Sequence, residues 1–429
     1  MSRDELDDGL LDKVMERAFS ERRRVKGKHA SFAIREVRDE GSQTTSLRIL
    51  TKVGREVFID ETPLQDSPSA DILGEELERA MARAPAGAEC TGLTSESSVP
   101  MHRLWRALKA KHARMFCQGD PSLGLRLVIK EVRERIGWLK PLAASANEMV
   151  AKLLRHHRSI GELVEGSCSG IWSRISDSLD IISPDESLLD SEGKAQRPKE
   201  LTAADMKRAL VVLEPLVDAL SHLESQASAI SDVYHLYHSL PKSVDAMDDC
   251  ISHQEKAIIK ECINKQWAEL YSDAYGVSYL LDPRYLGDGM DEDTSWKISD
   301  FISYKFPYHC SSTERCASAE LTDFLNTYRD AREENPHRLD QFAKAHPKDR
   351  FPQTTVYEFW KGMSGQRWNH LREIALVVFS LCTTSEIHDD APIFNLGNGS
   401  ETEPKLRYCQ YNLRQLAQKR KREGLQEES

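Results

Sequence analysis

An α/β unit followed by a long run of helices is the fold class this sequence predicts, and three observations carry it. Three short segments between residues 29 and 60 have strand character, and their connections are too short for a crossover helix. From Leu123 to about residue 277 apolar side chains recur at helical spacing almost without a break. A chain of 429 residues also exceeds what one hydrophobic core commonly supports, so two structural units are expected.

In chain order, Leu6, Leu10, Leu11, Val14, Met15 and Ala18 form one stripe and predict a helix over 6–25. His29 to Ile34 alternates weakly, Thr45 to Lys52 alternates better, and Glu56 to Asp60 contributes Val57, Phe58 and Ile59; together they predict an antiparallel meander. Ser69 reads as a helix cap, with Ile72, Leu73, Leu77 and Met81 behind it. The Ala/Pro/Gly stretch at 84–92 ends that helix, a weak strand lies near residue 93, and Met101 to Phe116 reads as a further helix. The order strand, strand, strand, helix, strand, helix is that of an RNase H-like half-domain. Beyond it, Leu125 to Leu139, Pro141 to His157, Ala203 to Leu223 and Val244 to Tyr271 read as helices, with a polar linker at Ser183 to Glu200. A loop at Leu281 to Thr294 follows, then helical character through 296–346. Trp368 to Leu381 is the most apolar helix, 382–404 is irregular, and a last helix spans Pro404 to Arg422.

Composition narrows the function. Hydrophobic residues make up 40% and charged residues 30%, as in a globular protein with a wet surface. No run approaches the roughly 18 apolar residues of a membrane span, so no membrane partner is expected. The acidic, amphipathic first residues are unlike a secretion signal. Nine cysteines without a CxxC pair predict reduced thiols, neither zinc ligands nor disulfides. A net charge of -11 is unusual for a nucleic-acid binder, yet basic residues cluster at Arg22 to Lys28, Arg103 to Arg114 and Lys419 to Arg422. Such runs suit a solvated helix face. The last, KRKR, equally suits a nuclear import signal, so a nuclear or cytoplasmic location is expected.

The run FWKGMSGQRWNHLREIALVVFSLCTTSEIHDD at 359–390 resembles the C-terminal dimerisation region of hAT-type DNA transposases. YLLDPRYLGDGM at 279–290 resembles that family's DPRY loop, and LEPLVDALSHLESQASAISDVYHLY at 213–237 its helical insertion. VFIDETPLQDSPSADILGEELERAM at 57–81 and FCQGDPSLGLRLVIKEV at 116–132 are similar to the RNase H half and its exit, so the likeness covers about residues 10 to 418. It implies an RNase H-like core interrupted by a long all-helical insertion domain. The implied organisation is an N-terminal helix (1–25), the first part of the core (26–122), the insertion (123–355), the closing part with the dimerisation region (356–422) and a tail (423–429). No BED-type zinc finger occurs in the sequence, so the family's usual sequence-reading module is expected to be absent.

The resemblance also implies a chemistry. Cut-and-paste transposition holds two divalent cations between three acids, and Mg²⁺ requires such hard oxygen ligands. The first acid's place falls at Arg35, where a guanidinium would repel the cations; Glu36 and Asp39 lie nearby, but Glu36 faces the other way unless the strand slips by one residue. The second falls at Ser95, with Glu96 as surrogate. The third falls at Asp389, beside Glu386, with Asp390 in place of an arginine. The family's CxxH pair is replaced by Asp120 and Leu123. A transposase-derived protein without an intact catalytic site is therefore expected, needing no cofactor; Mg²⁺ enters only if a rearranged site is active, the alternative being a working metal-dependent transposase or nuclease. The histidine pairs His156–His157 and His235–His238 have no cysteine partners, and no phosphate-binding GxxxxGK[ST] loop or small-molecule site is evident. The partners expected are a second copy, through Trp360, Trp368, Leu371, Leu376, Phe379, Tyr408 and Leu413, and DNA bound without sequence preference by Arg103, Arg106, Lys109, Lys111 and Arg114. The apolar dimerisation set equally suits ordinary core.

Overall fold

The computed structural model describes residue 16 and residues 28–140, 203–306, 314–334 and 355–385, apart from short breaks at 39–44, 54–55, 65–67, 86, 226–227, 248–249 and 364–366. The expected helices at 6–25 (residue 16 apart), 141–157 and 404–422 therefore lie outside the described residues, as do the 183–200 linker, Asp39, Glu386, Asp389, Asp390, Tyr408, Leu413 and the KRKR run.

β1 (His29–Arg38), β2 (Thr45–Val53) and β3 (Glu56–Leu64) form the expected antiparallel meander. α1 (Ala70–Ala82) starts where Ser69 accepts a hydrogen bond from the Ile72 amide, satisfying one of the orphan donors of the first turn. It leads to β4 (Glu89–Ser95), which lies parallel to β1. α2 (Val99–Lys111) is shorter than the periodicity suggests, because Phe116–Gly119 forms a fifth strand, β5, parallel to β4. That strand is buried on both faces and so carries no alternation to reveal it. The mixed sheet has the order β3-β2-β1-β4-β5.

α3 (Pro121–Arg135) leaves the sheet with Asp120 as its N-cap. The helical region continues through α4 (Ala203–Glu224), α5 (Ile230–Asp245), α6 (His253–Leu270), α7 (Asp273–Leu281), α8 (Glu292–Asp300), a π-helical turn at Phe301–Lys305, α9 (Glu314–Glu334), α10 (Val356–Gly362) and α11 (Asn369–Phe379). The helix expected over Val244 to Tyr271 begins only at His253, and Val244 and Asp245 close α5 instead. Ser252 and Glu255 form a reciprocal capping box that starts α6 afresh, a Ser-x-x-Glu signal already present in the sequence.

Two cores result. One lies between a sheet face and helices α1 and α2, and holds Phe32, Ile34, Leu93, Leu77 and Leu104. The larger joins the helices and takes in α11, with Trp360, Leu371 and Val378 fully or almost fully buried. Among the described residues no helix is long and apolar enough to cross a membrane. Cys90, Cys117, Cys250, Cys262 and Cys382 carry free thiols. Burial pushes the Cys90 thiol up to about 11 and Cys117 to about 12.

Candidate functional site

Strand alternation divides the residues expected at the acid places. Phe32, Ile34 and Leu93 point into the core beneath α1 and α2. Ser31 and Ala33 point the other way, toward the residues that follow α11: the Ser31 hydroxyl donates to the Ser380 carbonyl at 2.7 Å, and Ala33 packs with Cys382. By the same alternation Arg35 lies on the α11 side. Ser95, paired in register with Ile34, lies on the α2 side, where its hydroxyl accepts from the Trp105 indole at 3.0 Å. Arg35 and Ser95, the residues expected at the first two acid places, thus lie on opposite faces of the sheet. Glu36 follows Ile34, but it is near enough to Glu96 for that carboxylate to matter. Burial first, and the Glu96 charge second, raise the Glu36 pKa above its ordinary value.

A polar seam closes the sheet against the end of α11. Thr94 donates to the Cys382 carbonyl at 2.8 Å, Gln118 donates to the same oxygen at 3.2 Å, and Lys52 donates to the Leu381 carbonyl at 2.9 Å. A cation at the end of a helix complements its exposed carbonyls. Burial lowers the Lys52 pKa. The seam ends at Asp120, 3% exposed, just beyond β5. One of its oxygens accepts from the Ser122 amide at 2.9 Å and hydroxyl at 2.6 Å; the other accepts from the Ser385 amide at 2.6 Å and from the Ser385 hydroxyl. Thr384 donates to both at 3.3 Å. Two buried phenols line the same end, Tyr275 donating to the Gly119 carbonyl at 2.7 Å and Tyr237 to the Pro121 carbonyl at 3.0 Å. Burial, and then the Asp120 charge, raise both phenol pKa values.

The residues described at this end of the sheet do not fit a pair of divalent cations. Asp120 already accepts from hydroxyls and amides on both oxygens, Arg35 brings positive charge, and Ser95 is engaged by Trp105. Among the described residues no group of three or more His, Cys, Asp or Glu side chains gathers as metal ligands. What the arrangement does is mechanical: it fastens the chain after α11 to the strand ends.

A second polar centre lies among the helices, in the loop that resembles DPRY, and its role was not legible beforehand. Arg284 bridges Asp282 at 2.7 Å and Asp232 at 3.0 Å, both carboxylates being fully or almost fully buried. Tyr285 donates to Asp232 at 2.5 Å, His222 lies 3.3 Å from it, and Ser231 donates to Asp282 at 2.5 Å. Burial pushes Asp232 up, but Arg284, His222 and Tyr285 outweigh it and hold the carboxyl well below the usual range. Arg332 grips Asp288 through two nitrogens at 2.6 and 2.9 Å, and Arg329 donates to the Leu286 carbonyl at 2.9 Å. These contacts hold Leu286 at a φ of 51°. The signal for this centre was the pairing of Asp282 with Arg284 inside a turn.

The expected dimerisation residues divide. Trp360 and Leu371 are 0% exposed and Leu376 and Phe379 are 5% exposed, all within the larger core; the Trp360 indole donates to the Leu281 carbonyl at 3.0 Å. In this arrangement they are interior side chains, because α11 is wrapped by helices of its own chain. Trp368 is half-buried, bonded to Asp323 at 2.8 Å with Arg367 over its ring. The expected DNA-contacting residues lie on or just after α2. Arg103, Arg106 and Lys109 are exposed, whereas Lys111 pairs with Glu78, and Arg114 with Glu89 at 3.5 Å. Compared with known proteins, the chain matches no family model and no curated protein is significantly similar to it.

Proposed function

We propose that this chain derives from an hAT-type DNA transposase, keeps its RNase H-like core with a helical insertion, and has lost the chemistry. It acts through self-association and through DNA binding without sequence preference, in the nucleus if Lys419 to Arg422 serve as an import signal. The observation that carries the reading is the strand order β3-β2-β1-β4-β5, with the meander antiparallel and β4 and β5 parallel to β1, which is the order of an RNase H-like sheet. Arg35 and Ser95 at the first two acid places support the loss of chemistry, since a two-cation site tolerates neither substitution and a misplacement of about 1 Å already costs roughly a hundredfold in rate. Self-association would use surfaces other than Trp360, Leu371, Leu376 and Phe379, which are interior.

One observation favours a second reading, an active metal-dependent transposase or nuclease: the Glu96 charge adds to burial in raising the Glu36 pKa, as paired carboxylates do. Incubation of supercoiled plasmid with the full chain and Mg²⁺ or Mn²⁺ separates the two. No nicked product is expected; metal-dependent nicking abolished by Glu96→Ala and Asp389→Ala would establish the second reading. Sedimentation at micromolar concentration tests self-association, and a single-copy mass there removes it.

A further inference from the structure

We infer that the solvent face of α2 is a binding surface for the phosphate backbone of duplex DNA, carried by Arg103, Arg106 and Lys109 and not by the other basic residues of that segment. The inference rests on the proposed DNA binding and names the surface and the form of nucleic acid.

Charge comes first. The chain is strongly acidic overall, yet no Asp or Glu occurs between Glu96 and Asp120, and α2 lies wholly inside that interval. Its buried stripe, Met101, Leu104 and Leu108, faces the sheet, which turns the intervening positions to solvent. Arg103, Arg106 and Lys109 follow one another at three-residue spacing on that side, all exposed. Among the described residues no carboxylate forms an ion pair with any of the three, whereas Lys111 and Arg114 are engaged by Glu78 and Glu89. A cation already paired with a carboxylate gains less from a phosphate, because the first pair must be broken.

The same face argues against other occupants. A protein interface needs an apolar, charge-depleted centre, and this face offers mainly small alanines, Ala107 and Ala110, with Val99 at its start. A single strand needs aromatic faces on which bases can stack. Trp105 is turned inward, its indole donating to Ser95, and the His102 ring lies over it at 4.6 Å. What remains is an exposed row of cations without an acidic neighbour in the helix, which suits a duplex contacted through its phosphates.

The test is fluorescence anisotropy of a labelled random-sequence 20-base-pair duplex with the full chain across a salt series. Three phosphate contacts predict a log–log salt slope of about −2.7, or roughly a fortyfold loss of affinity between 50 and 200 mM salt. Arg103→Gln/Arg106→Gln/Lys109→Gln is expected to abolish that salt-dependent binding, and Lys111→Gln/Arg114→Gln to change it less than twofold, with circular dichroism verifying that both variants fold. If the wild-type chain binds no duplex at low salt, the DNA-binding reading fails with the inference. If it binds and the triple variant binds equally well, or if a single strand of the same sequence binds more tightly, the inference alone is overturned.

Discussion

Asp120, at the end of the sheet, and Asp232, among the helices, are both almost wholly buried, but their partners differ in charge. Asp120 is held by hydroxyls and amides and caps α3, so its charge is balanced by dipoles, including the positive end of that helix. Asp232 shares the Arg284 guanidinium with Asp282. The first arrangement ties three chain segments together: the end of β5, the start of α3 and the residues after α11. The second locks a loop whose backbone is otherwise strained. A carboxylate surrounded by neutral donors can lose any one of them and keep the rest. A pair of carboxylates sharing one cation cannot lose that cation without leaving two buried charges unbalanced.

The largest expected effect breaks that second arrangement. Arg284→Met should cost about 3–5 kcal/mol, measured by urea unfolding, because Asp232 and Asp282 lose their shared counter-charge. A loss below about 1 kcal/mol would mean that water or a rearranged Tyr285 replaces the guanidinium readily. Asp120→Asn should cost less, about 1–3 kcal/mol, since the amide keeps one acceptor but turns a second donor toward groups that themselves donate. A cost equal to that of Arg284→Met would erase the contrast between the two centres.

A pH-dependent effect, confined to mildly acidic conditions, sharpens the comparison with a buried group that has neither kind of partner. His29 is 2% exposed, and among the described residues neither ring nitrogen finds a hydrogen bond. Burial, then the Lys28 charge, lower its pKa from 6.5 to about 4, against a smaller raising effect of Glu373. As pH falls, the unfolded chain takes up this proton before the folded one does. The contribution is therefore complete above pH 6.5 and is lost as pH falls toward 4, by about 1–3 kcal/mol. His29→Phe should flatten the urea midpoint across that window; an unchanged slope would show that other groups govern it.

Much of the sheet was legible because alternation and short connections are local. The three meander strands and the Ser69 cap lie where the pattern predicted them. The Ser252–Glu255 box was equally local but was overrun by the helical periodicity on either side. The candidate site was legible only in residue type. The resemblance put Arg35 and Ser95 at the expected acid places, and nothing in it told that they lie on opposite faces, which depends on how β1 and β4 pair. Asp120 was legible only through the resemblance, as the residue expected in place of the CxxH cysteine, and nothing there marked it as the anchor of Thr384 and Ser385, more than two hundred and sixty positions away.

The sequence by itself determined the α/β plus helical class, most of the described element positions and the acid-free basic segment around α2, all properties of neighbouring residues. Tertiary structure alone decided that β5 exists, that α11 is interior, that Arg284 holds two carboxylates, and that only part of the basic segment meets solvent without a carboxylate partner. The physical reason is one of range. Propensity and periodicity act over a few residues, while burial, pairing register and ion pairing are set by groups the chain brings together from far apart.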